Sequence, residues 1–270
     1  MEESRPHEVW AAGDRYEPYV GRWSRRVARM FLPELGVPPE QDWLDVGCGT
    51  GALVQTILDH ASPRSVVGTD LSPGFAEYAR AHLPDPRVRI EVADAQHLPL
   101  GTGSVDAAVS GLVLNFVPEP GRAASEMTRV VRAGGLVAAY VWDYAEGMEF
   151  MRLFWEAAVA LNPAAPDEGR RFSLCHPGPL ADLFAGAGLG QVNVRPIDLP
   201  TVFRDFDDYW LPFLGGQGAA PAYAMTLSED DRAALRECLR AGLPTEDDGS
   251  IHLTARAWAV RGIKTETWSG

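Results

Sequence analysis

Residues 47–52 read Gly-Cys-Gly-Thr-Gly-Ala, between an apolar run, Asp42-Trp43-Leu44-Asp45-Val46, and a stretch with helical periodicity from Ala52 to His60 carrying Leu53, Ile57 and Leu58. This is the G-x-G-x-x-G/A form in the strand-to-helix setting that it requires. The glycines allow a tight turn and let a ligand lie against backbone without Cβ clashes. Asp70 ends the next β-branched run, 19 residues after Gly51, where one carboxylate can accept both hydroxyls of a ribose. A glycine turn with such an acid points to an adenosine-containing ligand. Asp45, two residues before Gly47, adds a negative charge close to where the pyrophosphate of a dinucleotide would rest, and there it favours an ammonium or sulfonium instead. Asp94, in Ala93-Asp94-Ala95 after the third strand, is placed to hydrogen-bond an adenine amino group. Three strand-end acids around one glycine loop suit S-adenosylmethionine better than NAD.

The elements that must position these residues alternate. Ser65–Asp70, Val88–Val92, Val105–Ser110 and Gly135–Trp142 read as further strands. Ser72-Pro73 marks a helix start, with a capping residue before proline at the first helical position, and Gly121–Val131 is helical. Strand and helix in alternation with short loops imply a doubly wound parallel α/β sheet with right-handed crossovers. Beyond Trp142 the rhythm loosens. Glu149–Leu161 and Pro179–Ala187 read as helices, and Val192, Val194 and Ile197 alternate. Residues 203–249 read as an insertion: a helix at Asp205–Trp210, a Gly/Ala-rich loop at 215–222 and a helix from Ser228 to about Ala241. Ile251–Ile263 closes as a strand. The expected organisation is one domain over 1–270, with an N-terminal helical cap (1–40), a cofactor-binding core (42–142), remaining sheet and helices (143–202 and 250–264) and a lid insertion (203–249).

A chain of 270 residues with 46% hydrophobic and 23% charged residues has the composition of a globular domain and needs no external staples. Its formal charge of −13 opposes phosphate backbones and anionic lipid, so neither nucleic acid nor membrane is expected as a partner. Cys48, Cys175 and Cys238 show no CxxC spacing, so neither a disulfide framework nor a metal site is expected. With no signal-peptide layout and no apolar run of about 18 residues, a soluble, unprocessed, cytoplasmic protein is expected. Oligomeric state is not legible.

Leu44-Asp45-Val46-Gly47-Cys48-Gly49-Thr50-Gly51, Val67-Gly68-Thr69-Asp70-Leu71-Ser72, Ala93–Leu100 and Val130-Val131-Arg132-Ala133-Gly134-Gly135 follow in an order and spacing that resemble class I S-adenosylmethionine-dependent methyltransferases. The resemblance covers about residues 42–142 and is nearest to the small-molecule branch that includes the ubiquinone/menaquinone C-methyltransferases. It implies a Rossmann-like seven-stranded sheet whose last strand is antiparallel, with Gln191–Pro200 and Ile251–Ile263 as the final two strands. It also implies that Gly47 and Gly49 pack on the methionine moiety and that Asp70 holds the ribose hydroxyls. Leu71 then flanks the adenine, and Asp94 and Ala95 read its edge. Ser110 and Gly111 line the methyl side, Asp45 lies near the amino group, and Gly51 completes the loop. Tyr16 to Arg25 resembles a segment that folds over the cofactor in related enzymes; Tyr16 or Tyr19 would cover the sulfonium and Arg22 would pair with the methionine carboxylate. An amphipathic helix docking its aromatics on the core explains the same residues.

The acceptor side is less defined. Asn115 either orients a hydroxyl or carbonyl or caps the turn before Pro118. Asp143, after the fifth strand, is the candidate general base, against the plainer reading of an exposed loop acid. His97 and His176 read as ordinary polar residues. Phe150, Phe154, Trp155, Phe206, Tyr209, Trp210, Phe213 and Trp258 crowd the C-terminal half: a cavity lined by them would take an apolar or aromatic acceptor, and otherwise they are core. Asp205, Asp207 and Asp208 either favour a cationic acceptor or form a solvated helix N-terminus. The expected function is methyl transfer from S-adenosylmethionine to an O, N or C atom of a small organic acceptor. An NAD(P)-dependent oxidoreductase and a non-catalytic S-adenosylmethionine-binding module are the alternatives.

Overall fold

The computed structural model describes residues 21–215 and 218–265. Tyr16 and Tyr19 lie outside them. The chain divides into two compact units: a sheet unit (24–142, 173–197 and 257–270) and a second unit (1–23, 143–172 and 198–256).

In the sheet unit, α1 (Arg22–Phe31) continues from the last residues of the second unit. It is followed by β1 (Asp42–Val46), α2 (Ala52–His60), β2 (Ser65–Asp70), α3 (Pro73–His82), β3 (Val88–Val92), β4 (Val105–Gly111), α4 (Pro120–Val130) and β5 (Val131–Trp142). The sheet has seven strands in the order β3-β2-β1-β4-β5-β7-β6, where β6 is Leu189–Phe203 and β7 is Ile251–Lys264. β1 to β5 pair in parallel, while β7 runs antiparallel to β5, from Leu136 opposite Ile263 to Trp142 opposite Ala257. This is the sheet that the motif resemblance implied. Its central strands are buried along their length (Trp43, Leu44 and Val46; Ala107, Ala108 and Val109; Val137 to Val141), which is why they read as continuous apolar runs.

Local chemistry sets the helix ends. Pro73 opens α3, and the Ser72 hydroxyl accepts the Phe75 amide at 3.4 Å. α4 starts at Pro120 and buries Ala123, Ala124, Met127 and Val130 in the core. At the amino end of β1 and β4, Asp42 and Asp106 are bridged by Arg64 (2.9 and 3.2 Å) and by Arg132. The Asp106 carboxylate also accepts the Asp42 amide at 2.8 Å. The strand order reverses between β1 and β4, which puts the ligand crevice of such a sheet at their carboxyl ends, the opposite edge from this ion network.

The second unit contains α5 (Glu149–Leu161), α7 (Phe206–Trp210), α8 (Ala219–Thr226) and α9 (Glu229–Gly242); α6 (Pro177–Gly186) belongs to the sheet unit. Its core is aromatic. Phe154 stacks on Phe213 at 4.5 Å, Phe203 meets Tyr209 edge-on at 5.3 Å, and the Tyr209 hydroxyl donates to the Phe150 carbonyl at 2.8 Å. Phe150, Phe154, Trp155, Tyr209, Trp210 and Phe213 are all buried there, and Trp258 packs at the edge of the sheet-unit core. These rings are packing and supply no argument for an aromatic acceptor.

Helix α8 corrects the loop expected at 215–222. Alanine is the strongest helix former, Pro221 falls in the first turn where it is tolerated, and burial of Ala220 and Ala224 adds packing to that propensity. The acids at 205–208 form a helix start. Asp205 caps the Asp208 amide at 2.8 Å, Asp207 pairs with Arg236 and Asp208 with Arg22.

Candidate functional site

The glycine loop is held to the neighbouring strand end. The Gly47 and Cys48 amides both donate to the Thr69 carbonyl, at 2.7 and 2.9 Å, and the Gly51 amide donates to the Cys48 carbonyl at 2.8 Å. Gly47 (φ +75°) and Gly49 (φ +53°) adopt left-handed backbone, but for different reasons. A Cβ on Gly47 would run into the Val113 side chain, whereas a Cβ on Gly49 would meet no protein atom within 4 Å. Gly47 is therefore glycine for the fold. Gly49 presents bare backbone on an open side, the surface a ligand can lie against.

Asp70 ends β2 and ties three elements together. Its Oδ2 accepts the Gly49 amide at 2.9 Å and its Oδ1 accepts the Ser72 amide at 2.8 Å. Each oxygen keeps a further lone pair for a diol. Burial raises the Asp70 pKa, and the two amides offset part of that rise.

Asp45 is 1% exposed, and neither carboxylate oxygen has a hydrogen-bond partner. Burial first, and the Asp70 charge second, push its pKa up to about 8; the Val54 amide, nearby but without a well-formed hydrogen bond to either oxygen, opposes only weakly. An unpaired buried carboxylate is costly, and a cation beside it removes that cost. Together, Asp45, the open side of Gly49 and the diol-accepting Asp70 match the ammonium, backbone-facing and ribose parts of S-adenosylmethionine, so the residues present fit that cofactor.

The other expected residues are less uniform. Leu71 is 70% exposed next to Asp70. Asp94 receives the Gln96 amide at 2.8 Å, which, with the Gln96 side chain, lowers its pKa and keeps it an acceptor. Ala95 packs against the sheet-unit core, and the Ala93 amide donates to the Asp70 carbonyl at 2.9 Å, which joins the two loops. Ser110 is fully buried with its hydroxyl donated to the Val46 carbonyl at 2.8 Å, so it braces β4 on β1. Gly111 leaves room for the Tyr140 ring. Asn115 follows β4 in a short 3-10 turn. Its amide nitrogen reaches Cys175 Sγ at 3.6 Å, while its Oδ1 is buried with no partner.

Asp143 is not an exposed loop acid: it is 2% exposed, and its Oδ1 accepts the Glu146 amide at 2.9 Å. Its backbone also takes part, with the amide donating to the Arg256 carbonyl and the carbonyl accepting the Met148 amide. Arg22 lies in the second unit and pairs with Asp208 at 3.3 Å. His97 contacts Arg122 and lies 3.9 Å from Asp94, and His176 precedes α6 without a side-chain cap. Among the described residues no group of three or more His, Cys, Asp or Glu is arranged to hold a metal ion, and no helix is long and apolar enough to cross a membrane.

Residues 44–139 match the family model described as a methyltransferase domain. Over these residues the chain is similar to methyltransferase domains. The match spans β1 to β5, which contain the glycine loop and all three strand-end acids. Among similar proteins, the chain resembles a malonyl-[acyl-carrier protein] O-methyltransferase of Geobacter sulfurreducens, at 36% identity over 62% of either chain. It also resembles a demethylmenaquinone methyltransferase of Renibacterium salmoninarum, at 29% identity over 60% of this chain and 70% of that one. Four of the curated relatives, the Geobacter protein included, are matched over 33 to 62% of their own length. The fold of a phosphoethanolamine N-methyltransferase from Haemonchus contortus superposes with a TM-score of 0.58 at 15% identity, covering 94% of this chain and 57% of that one.

Proposed function

We propose that this protein transfers the methyl group of S-adenosylmethionine to an O, N or C atom of a small organic acceptor. The observation that carries the reading is Asp45: a buried, unpartnered carboxylate beside an open glycine loop and a diol-accepting aspartate. A cationic ligand gains by drawing Asp45 into its charged form, a gain that the phosphates of a dinucleotide do not provide, which disfavours the oxidoreductase alternative. S-adenosylmethionine supplies an electrophilic methyl group on a sulfonium whose leaving group is a neutral thioether. This chain's residues bind and orient: Asp45 faces the ammonium, Asp70 holds the ribose hydroxyls, Asp94 and Ala95 meet the adenine edge, and Leu71 covers its face. In-line displacement draws much of its acceleration from such positioning and from exclusion of water, so a dedicated base is not required. We assign Asp143 to holding its loop rather than to proton transfer, because one of its oxygens is already committed to the Glu146 amide.

The relatives that act on an acyl-carrier-bound malonyl group and on demethylmenaquinone suggest acceptors with an activated oxygen or carbon. The composition supports a small acceptor over nucleic acid. Calorimetric titration with S-adenosylhomocysteine, alongside Asp70→Ala, tests the cofactor site. Micromolar binding abolished by the substitution supports it, whereas a folded protein that binds NAD instead overturns it. Methyl transfer to any member of a phenol, quinone, amine and acyl-thioester panel excludes a non-catalytic module.

A further inference from the structure

Gln96 lies in the turn after β3, two residues beyond Asp94, and its side-chain amide is held at both ends. Nε2 donates to Asp94 Oδ1 at 3.0 Å and to Oδ2 at 3.1 Å, while the Gln96 backbone amide donates to Oδ1 at 2.8 Å. Oε1 accepts the backbone amide of Glu119, the residue before α4, at 3.1 Å. This last bond decides which way the side chain faces. A carboxamide has one accepting end and one donating end, so with its oxygen on the Glu119 N–H its nitrogen is turned to the Asp94 carboxylate.

Helix α4, in the same unit, braces the rest of the turn. Arg122 Nε donates to the Gln96 carbonyl at 3.2 Å, and the Arg122 guanidinium meets the His97 ring. Glu126 accepts the Leu98 amide at 2.8 Å, and Arg129 donates to the Leu98 and Leu100 carbonyls at 3.1 and 2.8 Å. Ala123, Ala124, Met127 and Val130 anchor the helix in the core, so the turn is tied to a rigid element. The Asp94 side chain nevertheless stays 37% exposed, and His97 Nδ1, 3.9 Å from Oδ2, is beyond hydrogen-bond reach. Oδ1 takes two bonds and Oδ2 one, which leaves Oδ2 the freer acceptor. An ionised carboxylate only accepts, so a ligand N–H placed there gains and a carbonyl oxygen there is repelled.

We infer that Gln96 is a positioning residue for the base of the cofactor: oriented by Glu119 and braced by α4, it fixes the Asp94 carboxylate as an acceptor, so that the site selects a 6-amino purine over a 6-oxo purine. Gln96 acts through Asp94 and makes no contact with the base itself. The inference deepens the methyl-transfer reading and rests on the adenosyl cofactor that it names.

The test titrates the full-length wild type, Gln96→Met and Gln96→Glu calorimetrically with S-adenosylhomocysteine and S-inosylhomocysteine, with thermal melting as the check on folding. The two ligands share sugar and amino acid and differ in the purine 6-substituent, amino against oxo. Gln96→Met keeps the side-chain length and loses both of its hydrogen bonds. Gln96→Glu keeps an oxygen for the Glu119 amide and loses only the donor to Asp94. The wild type binds the amino ligand at least about a hundredfold more tightly than the oxo ligand. Both variants weaken S-adenosylhomocysteine by about tenfold, the worth of a hydrogen bond to a charged group, and hold S-inosylhomocysteine within about twofold, so the preference shrinks. Should Gln96→Met fail to fold, Gln96→Glu, whose turn keeps its tie to α4, decides. Equal losses for the two ligands in both variants show a residue that only holds the turn together and overturn the proposal, as does wild-type preference in Gln96→Glu. A wild type that binds both ligands equally leaves the cofactor reading standing and overturns the selection. A folded wild type that binds neither removes the cofactor reading and this inference with it.

Discussion

At the residue scale, Asp45 makes cofactor binding a proton-linked event. With its pKa near 8, the folded protein without ligand holds Asp45 protonated at neutral pH. For a raised carboxylate the sign is fixed: its contribution to stability is present in full below the ordinary carboxylate range and is lost as pH rises through about 8. Binding of an ammonium ligand runs the other way, because it needs the charged form. The affinity for S-adenosylhomocysteine should therefore increase between about pH 6 and pH 8, by at most about tenfold per unit. Proton release should appear in calorimetry as a binding enthalpy that varies with the buffer. Asp45→Asn should flatten the pH profile and weaken binding; a variant as pH-dependent as the wild type would show that another group titrates. Asp70→Ala should weaken binding by about a hundredfold or more, since it removes the carboxylate proposed to hold the ribose as well as the acceptor that holds the Gly49 amide.

At the scale of elements, two glycines of one loop should separate fold from function. Gly47→Ala forces a side chain into Val113 and should lower stability by about 2 kcal/mol or more in urea denaturation. Gly49→Ala has protein-free space around its Cβ and carries only the strain of positive φ, about 1 kcal/mol, yet should abolish cofactor binding. The opposite edge of the sheet answers to acid. The pKa of Asp42 is lowered: burial works upward, but hydrogen bonds from Arg64, Ser65 and Arg132 outweigh it. Asp106 is likewise low: burial works upward, but the Arg132 hydrogen bond, the Asp42 amide and the Arg132 charge together outweigh it. Depressed carboxylates contribute stability above their unfolded range, and that contribution disappears as pH falls through the folded value. Asp106→Asn should thus cost about 1 kcal/mol at pH 7 in low salt, because these partners are part-exposed and screened. Urea midpoints should converge with the wild type as pH falls below the ordinary carboxylate range. The strands and helices around these residues were legible because short-range rules act there: apolar runs, the Ser72-Pro73 start and the glycine turn. Helix α8 was not, since a Gly/Ala-rich stretch encodes loop and helix about equally until burial of Ala220 and Ala224 tips it.

At the scale of the whole molecule, ligand linkage and net charge are the measurable consequences. S-adenosylhomocysteine at a hundred times its dissociation constant should add about 2.7 kcal/mol of stability, a melting shift on the order of 5 °C or more. With a formal charge of −13, the protein should pass through a heparin column at about 0.15 M salt. The sequence by itself determined the parallel core, the glycine loop and the acids at the ends of β1, β2 and after β3, because each depends on residue type and spacing within a few dozen positions. Only the tertiary structure decided which of those groups are satisfied. Asp45 has no partner, Ser110 is spent on Val46, and Asp143 is engaged by its own loop. Arg22 shares Asp208 with Arg204, and Thr201, unremarkable in the sequence, has a stranded hydroxyl. Whether a polar group is paired depends on atoms brought from distant parts of the chain, with 186 positions separating Arg22 from Asp208, and no local pattern encodes that meeting.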